Sequence, residues 1–223
     1  MLGWGFIVTS SLAYFDFSQV PEFMLEKMPL RFETVWLWSL RVHVTAALLS
    51  LTLCIVLMTR FIQRRPTIHR WLGRVAGMIL LALLVPSGTV LAFDAKGGRF
   101  VTAGFLLSGA IVAWCTVRGV LAARRGDLVA HRRSMAQVFA QMSVAVTSRA
   151  MLVAAGFAEF DPDRSYVVAL WVPVLGSALV AYLVSLPRGT VVSFFERIRR
   201  EIVPLAVGPR PRAVARSANR VGR

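Results

Sequence analysis

Residues equipped for soluble-enzyme chemistry are scarce in this chain. Three histidines, two cysteines and eleven acidic residues are all that its 223 positions supply. No CxxC, CxxCH, HExxH, GxSxG or Walker pattern occurs, so a soluble-type catalytic site has no support. Cys54 and Cys115 both fall inside apolar runs. Neither is placed for an extracellular disulfide, and both read as packing thiols. None of the long apolar runs contains an acidic residue, which removes the usual carboxylate of a proton-coupled transporter. Three histidines are also too few for two bis-histidine hemes.

What the chain has instead is apolar length. Runs at residues 35–59, 71–93, 101–123, 134–157 and 166–186 each approach or exceed the roughly 20 residues that cross about 30 Å of hydrocarbon. A shorter run at 2–15 lacks the basic start and small-residue cleavage site of a signal peptide and reads as a marginal first span. The expected fold is an all-α, polytopic transmembrane helical bundle of six spans over residues 1–187. Charge sorts the loops by side. Arg60, Arg64, Arg65, Arg70 and Arg74 cluster between spans two and three, Arg118, Arg124, Arg125, Arg132 and Arg133 between four and five, and nine more arginines follow Pro187. The alternate loops carry Asp16, Glu22, Glu26 and Glu33, then Asp94, then Glu159, Asp161 and Asp163. Because Lys and Arg mark cytoplasmic loops, this pattern implies a cytoplasmic-membrane protein with both termini inside. The net charge of +15 then points to anionic lipid headgroups as partners. Nucleic acid does not fit, because the arginines flank spans and lack interleaved aromatics on a soluble fold.

Polar groups inside spans carry the remaining information, since an ionisable side chain in hydrocarbon normally faces the bundle interior. Arg41, His43 and Arg149 are three such groups, all about 9–12 Å below the acid-rich side at 1.5 Å per residue. His43 lies on a small-residue face with Ser39, Ala46, Ser50 and Cys54, whereas Arg41 points nearly opposite. Gln137, Gln141 and Ser148 form a stripe on the fifth span, with Arg149 close by, so that span belongs in the middle of the bundle. His43 and Arg149 together would suit a polar headgroup or a quinone oxygen. The plainer alternative is a hydrogen-bonded helix clamp, with Arg41 snorkelling outward.

A second set lies on the basic side. The segments RRPTIHRWLGR, at 64–74, and RRGDLVAHRRSM, at 124–135, share a doubled Arg, a helix-starting Thr67 or Asp127, and His-Arg in the first turns. Spans two–three and four–five therefore form a weak parallel repeat that brings His69 and His131 to one depth. Two imidazoles at one depth would ligate a b-type heme iron from both sides. They would equally form an anion site at helix N-termini, or serve only as interfacial anchors. Small-xxx-small pairs at Gly73/Gly77 and Gly104/Ser108 favour close helix approach. Pro86 should kink the third span and Pro173 the sixth.

The ordered set of R-x-H at Arg41 to His43, HRxxGR at His69 to Arg74, RxGDxxxHRRxM at Arg124 to Met135 and the later Ser148-Arg149 resembles a widespread bacterial family of predicted membrane proteins catalogued as a domain of unknown function. The resemblance covers Trp36 to Arg149. Members commonly carry Trp where this chain has Ser134. It implies a shared helical membrane fold with His43, His69, His131 and Arg149 as characteristic polar positions, and it implies no reaction.

After Pro187 the character changes. Val191, Phe194, Phe195, Ile198 and Ile202 repeat at helical spacing against Arg197, Arg199 and Arg200, which describes an interfacial amphipathic helix over 188–203. Residues 204–223 lack a core and read as disordered unless a partner holds them. The first functional expectation is thus a non-catalytic accessory or scaffold subunit of a larger membrane complex, docking other membrane-protein subunits through its basic face and tail. A heme- or quinone-binding redox protein is the second, and a transporter of a small solute or lipid the third.

Overall fold

A computed structural model describes residues 32–185. The marginal span at 2–15, the amphipathic segment at 188–203 with Arg197, Arg199 and Arg200, and the tail at 204–223 lie outside the described residues. Within them the chain is a helical bundle without strands, and five of its helical segments are long and apolar enough to cross a membrane.

The first span is α1, Glu33–Met58. It hides its threonine hydroxyls on its own backbone: Thr45 donates to Arg41 O and Thr52 to Leu48 O, both at 2.8 Å, so neither seeks a partner in hydrocarbon. The helix stops at Thr59, which turns extended at ψ 138°. A single turn, α2 (Arg60–Gln63), carries the chain to α3 (Pro66–Met78). Here the structure corrects the expected start. Pro66 takes the first helical position behind an extended Arg65, so Thr67 lies inside the helix and caps nothing.

Beyond α3 the chain continues through a π-helical turn, Ile79–Leu84, into α4, Val85–Phe93. Pro86 has no amide to donate, and the helix meets that deficit just upstream by widening, with Val85 N–H reaching back five residues to Leu80 O. The kink expected at Pro86 therefore takes the form of a π-turn. Gly97 and Gly98, at φ +98° and +72°, make the tight link to α5, Gly98–Arg124. Gly126 in the left-handed region closes α5, and Asp127 then caps α6 (Leu128–Phe157) by accepting from Ala130 N–H at 2.9 Å. Asp161 similarly accepts from Arg164 N–H at 2.8 Å at the start of α7, Pro162–Ser185, which carries Pro173 without a break in helical assignment.

α6 touches α1, α5 and α7, the middle position its polar stripe implies. Gln141, 4% exposed, accepts from Ser108 Oγ of α5 at 3.0 Å and donates to Val174 O and Ser177 Oγ of α7 at 3.0 and 3.3 Å. One amide thus joins three helices. Gln137 donates to Ala178 O one turn below, at 2.9 Å. Around this ladder, Ala46, Leu51, Leu80, Leu84, Val112, Val138 and Met142 form one apolar core. Val101, Val144, Leu170 and Val174 form a second. Large apolar side chains cover the outside instead, Trp114 at 68% exposure and Val184 at 79% among them, as hydrocarbon requires and water would penalise. Of the two small-residue pairs, Gly104/Ser108 packs as expected, since a Cβ at Gly104 would sit 2.8 Å from Leu170 Cδ2. The other does so only in part. Gly77 faces Thr116 Cγ2 at 4.0 Å, but nothing lies within 4 Å of a Cβ at Gly73.

Candidate functional site

The two hairpins meet at the arginine-rich end. His69 sits in the first turns of α3 and His131 in those of α6, and their rings stand 6.4 Å apart between centroids at an interplanar angle of 82°. A carbonyl only accepts, so in the 2.9 Å contact of His131 Nδ1 with Gly119 O the nitrogen donates, and in the neutral ring Nε2 then carries the lone pair. His69 Nδ1 is buried without a hydrogen-bond partner. Four residues along α3, on the same helix face, nothing lies within 4 Å of a Cβ placed on Gly73.

Among the described residues no cluster of three or more His, Cys, Asp or Glu side chains is placed to hold a metal ion. A bare ion here would have only two protein ligands. A tetrapyrrole brings four equatorial nitrogens of its own and needs just two axial imidazoles. Two metal–nitrogen bonds of about 2 Å, with each ring centroid a further ~1 Å behind its nitrogen, set the centroids about 6 Å apart. The observed separation is compatible with that figure, and the Nδ1–H to carbonyl bond of His131 has the form of the outer hydrogen bond that orients a ligating histidine. Arg64, Arg65, Arg70, Arg74, Arg124, Arg125, Arg132 and Arg133 are all exposed at this end. Arg65 lies over Phe61 at 4.3 Å and Arg74 over Trp71 at 5.4 Å, so these two heads rest on rings at the helix ends.

The other polar layer sits under the acid-rich end, between α1 and α6. His43 and Arg149 line one cavity of about 80 Å³ with Val44, Leu48, Leu51 and Met142. His43 Nδ1 donates to Leu84 O at 3.2 Å and lies 3.3 Å from Ser87 Oγ. Its ring rests on Gly88, where a Cβ would come within 2.8 Å of Cε1. Arg149 Nη1 donates to Ala145 O at 3.0 Å on its own helix, and no carboxylate among the described residues pairs with it. Carrying an arginine into a span costs about 2.5–3.5 kcal/mol on insertion scales. Arg41 is separate from this cavity, lying over Trp38 at 5.8 Å.

Both pairs singled out from sequence are therefore brought together, His69 with His131 and His43 with Arg149. Their backbone supports were not foreseen. Gly119 gave no signal beyond being a glycine in an apolar run. Ser87 and Gly88 follow Pro86, which marks an irregular turn of the helix, and nothing in the sequence singles out Leu84 O as the acceptor.

Residues 40–185 match the model of a family described as predicted membrane protein, DUF2306. No curated protein and no solved structure matches the chain.

Proposed function

We propose that this chain, which belongs to the DUF2306 family of predicted membrane proteins, is a one-electron redox protein holding one b-type heme between His69 and His131. The observation that carries this reading is the pair of imidazoles from two different helices at 6.4 Å and 82°, one of them donating through Nδ1 to a backbone carbonyl. Held by His69 and His131, the group would supply electron transfer rather than substrate chemistry. Arg70 and Arg132 adjoin the two ligands in sequence, and arginine suits the carboxylates at the edge of the group. By the positive-inside rule this end faces the cytoplasm of a bacterial inner membrane, with both chain termini on that side and the exposed arginines against anionic lipid.

A second reading, an accessory or scaffold subunit, is favoured by those same exposed arginines, which would equally dock neighbouring subunits. One experiment separates the two. Purified from heme-replete cells in mild detergent, the protein should show a Soret band and about one protoheme per chain. His69→Ala or His131→Ala should each reduce bound heme at least about tenfold. A wild-type protein that purifies colourless within a larger assembly would overturn the heme reading in favour of the scaffold, the rings then being an ordinary T-shaped contact.

A further inference from the structure

The cavity at His43 and Arg149 stands apart from the paired histidines at the opposite end, and the heme reading makes no use of it. Three of its properties define what it would hold. The first is charge. Arg149 carries five N–H donors, one of which is spent on Ala145 O, and its charge is met by no carboxylate among the described residues. A cation inside an apolar bundle favours an anion beside it.

The second is the orientation of the imidazole. Measured from a Cβ placed on Gly88, His43 Cε1 lies at 2.8 Å, Nδ1 at 3.1 Å and Nε2 at 3.9 Å. The Nδ1–Cε1 edge is thus held against α4 by Gly88 and Leu84 O, which leaves the Nε2 edge for the cavity that His43 lines with Arg149. Nε2 accepts from a protonated ligand or, once protonated itself, donates to an ionised one.

Size is the third. A cavity of about 80 Å³ exceeds the ~10–15 Å³ that one water needs. A carboxylate with one or two carbons fits that space. The apolar remainder of the wall, Val44, Ala47, Leu48, Leu51 and Met142, suits an alkyl group and gives a phosphate or sulfate dianion too few donors.

We propose that this cavity is a monocarboxylate site, with the carboxylate paired to Arg149, accepting from His43 Nε2 when the imidazole carries both protons, and its alkyl carbon against Leu48 and Met142. Two sources share that chemistry, a short free acid and the headgroup of a fatty acid whose tail stays in the bilayer.

The test uses full-length protein in nanodiscs, titrated separately with acetate and with dodecanoate in a calorimeter. Saturable binding of acetate identifies the free acid, and binding of dodecanoate alone identifies the lipid. In either case Arg149→Gln should weaken affinity at least about tenfold, the scale of one charge-assisted pair. Gly88→Ala keeps the arginine but displaces the His43 ring, and it should also weaken binding. Heme content should be unchanged in both variants, which keeps this result distinct from that for His69 and His131. Equal binding by wild type and Arg149→Gln overturns the proposal, because it marks nonspecific partition. It is also overturned if wild type binds neither acid; a gain of binding on neutralising Asp16, Glu22 and Glu26 would then assign Arg149 to a carboxylate of the chain itself.

Discussion

Replacing Gly119 with leucine should force α5 away from α6 and strip the chain of bound heme in one step. A Cβ at position 119 would overlap Met135 Cε and lie 3.1 Å from Ser134 Cβ. The methionine end can swing aside, but Ser134 Cβ is fixed to the α6 backbone, so the helices must part. Overpacking of this kind costs about 1–3 kcal/mol. Against it stands a helix-propensity gain of up to about 1 kcal/mol from removing glycine. The steric term wins here, because a leucine carries three carbons beyond the Cβ that already has no room. We expect a net loss of about 1–2 kcal/mol. The functional loss should be larger than the stability loss, because Gly119 O is the acceptor that orients His131 at 2.9 Å. Losing such a support typically lowers metal affinity about 10–100-fold. Gly109→Leu, on the same helix with nothing within 4 Å of its Cβ, should raise stability by up to about 1 kcal/mol and leave bound heme unchanged. Denaturant titration and Soret absorbance of the two variants check this, and equal heme content in both would contradict it.

The second large effect concerns Gln141. Interhelical hydrogen bonds in membrane proteins average about 0.6 kcal/mol and reach roughly 1.7, and this one amide makes three. Gln141→Ala loses them all and leaves a cavity as well, so about 2–3 kcal/mol should go. Gln141→Leu keeps the volume. It should cost less than the alanine change, about 1 kcal/mol, because the groups left behind have other recourse. Ser177 Oγ already donates to Val174 O at 3.3 Å, and Ser108 can turn its hydroxyl onto its own helix. Unfolding in mixed detergent micelles measures the order of the two. Equal losses in the two variants would show that the hydrogen bonds, not the packing, dominate at this site.

The bundle was largely legible before any coordinates because bilayer thickness imposes a length that hydropathy reads directly. Helix starts were legible from capping residues instead, because the polar first turns carry no hydropathy signal: Asp127 caps α6 at Leu128 as its place in the RRGD segment predicts, whereas α3 starts at Pro66, one residue ahead of Thr67. The meeting of His69 with His131 followed from two segments of like pattern, since equal spacing from a helix start sets equal depth. The sharing of a cavity by His43 and Arg149 followed from depth alone. What stayed hidden was whatever depends on which backbone faces which: the π-turn ahead of Pro86, the carbonyls of Leu84 and Gly119, and the open space at Gly73. Each depends on the azimuth of one helix about another, and a hydropathy profile averages that away.

Ligation of one heme by both His69 and His131 is the central claim, and chemical rescue tests it most directly. His131→Gly leaves a space the size of the missing ring, and free imidazole can enter it without restoring the backbone link. The account predicts that this variant, purified with heme present, loses the low-spin spectrum of the wild type and regains it on addition of imidazole, with His69→Gly behaving alike. A wild-type spectrum that survives in either glycine variant without imidazole would contradict it.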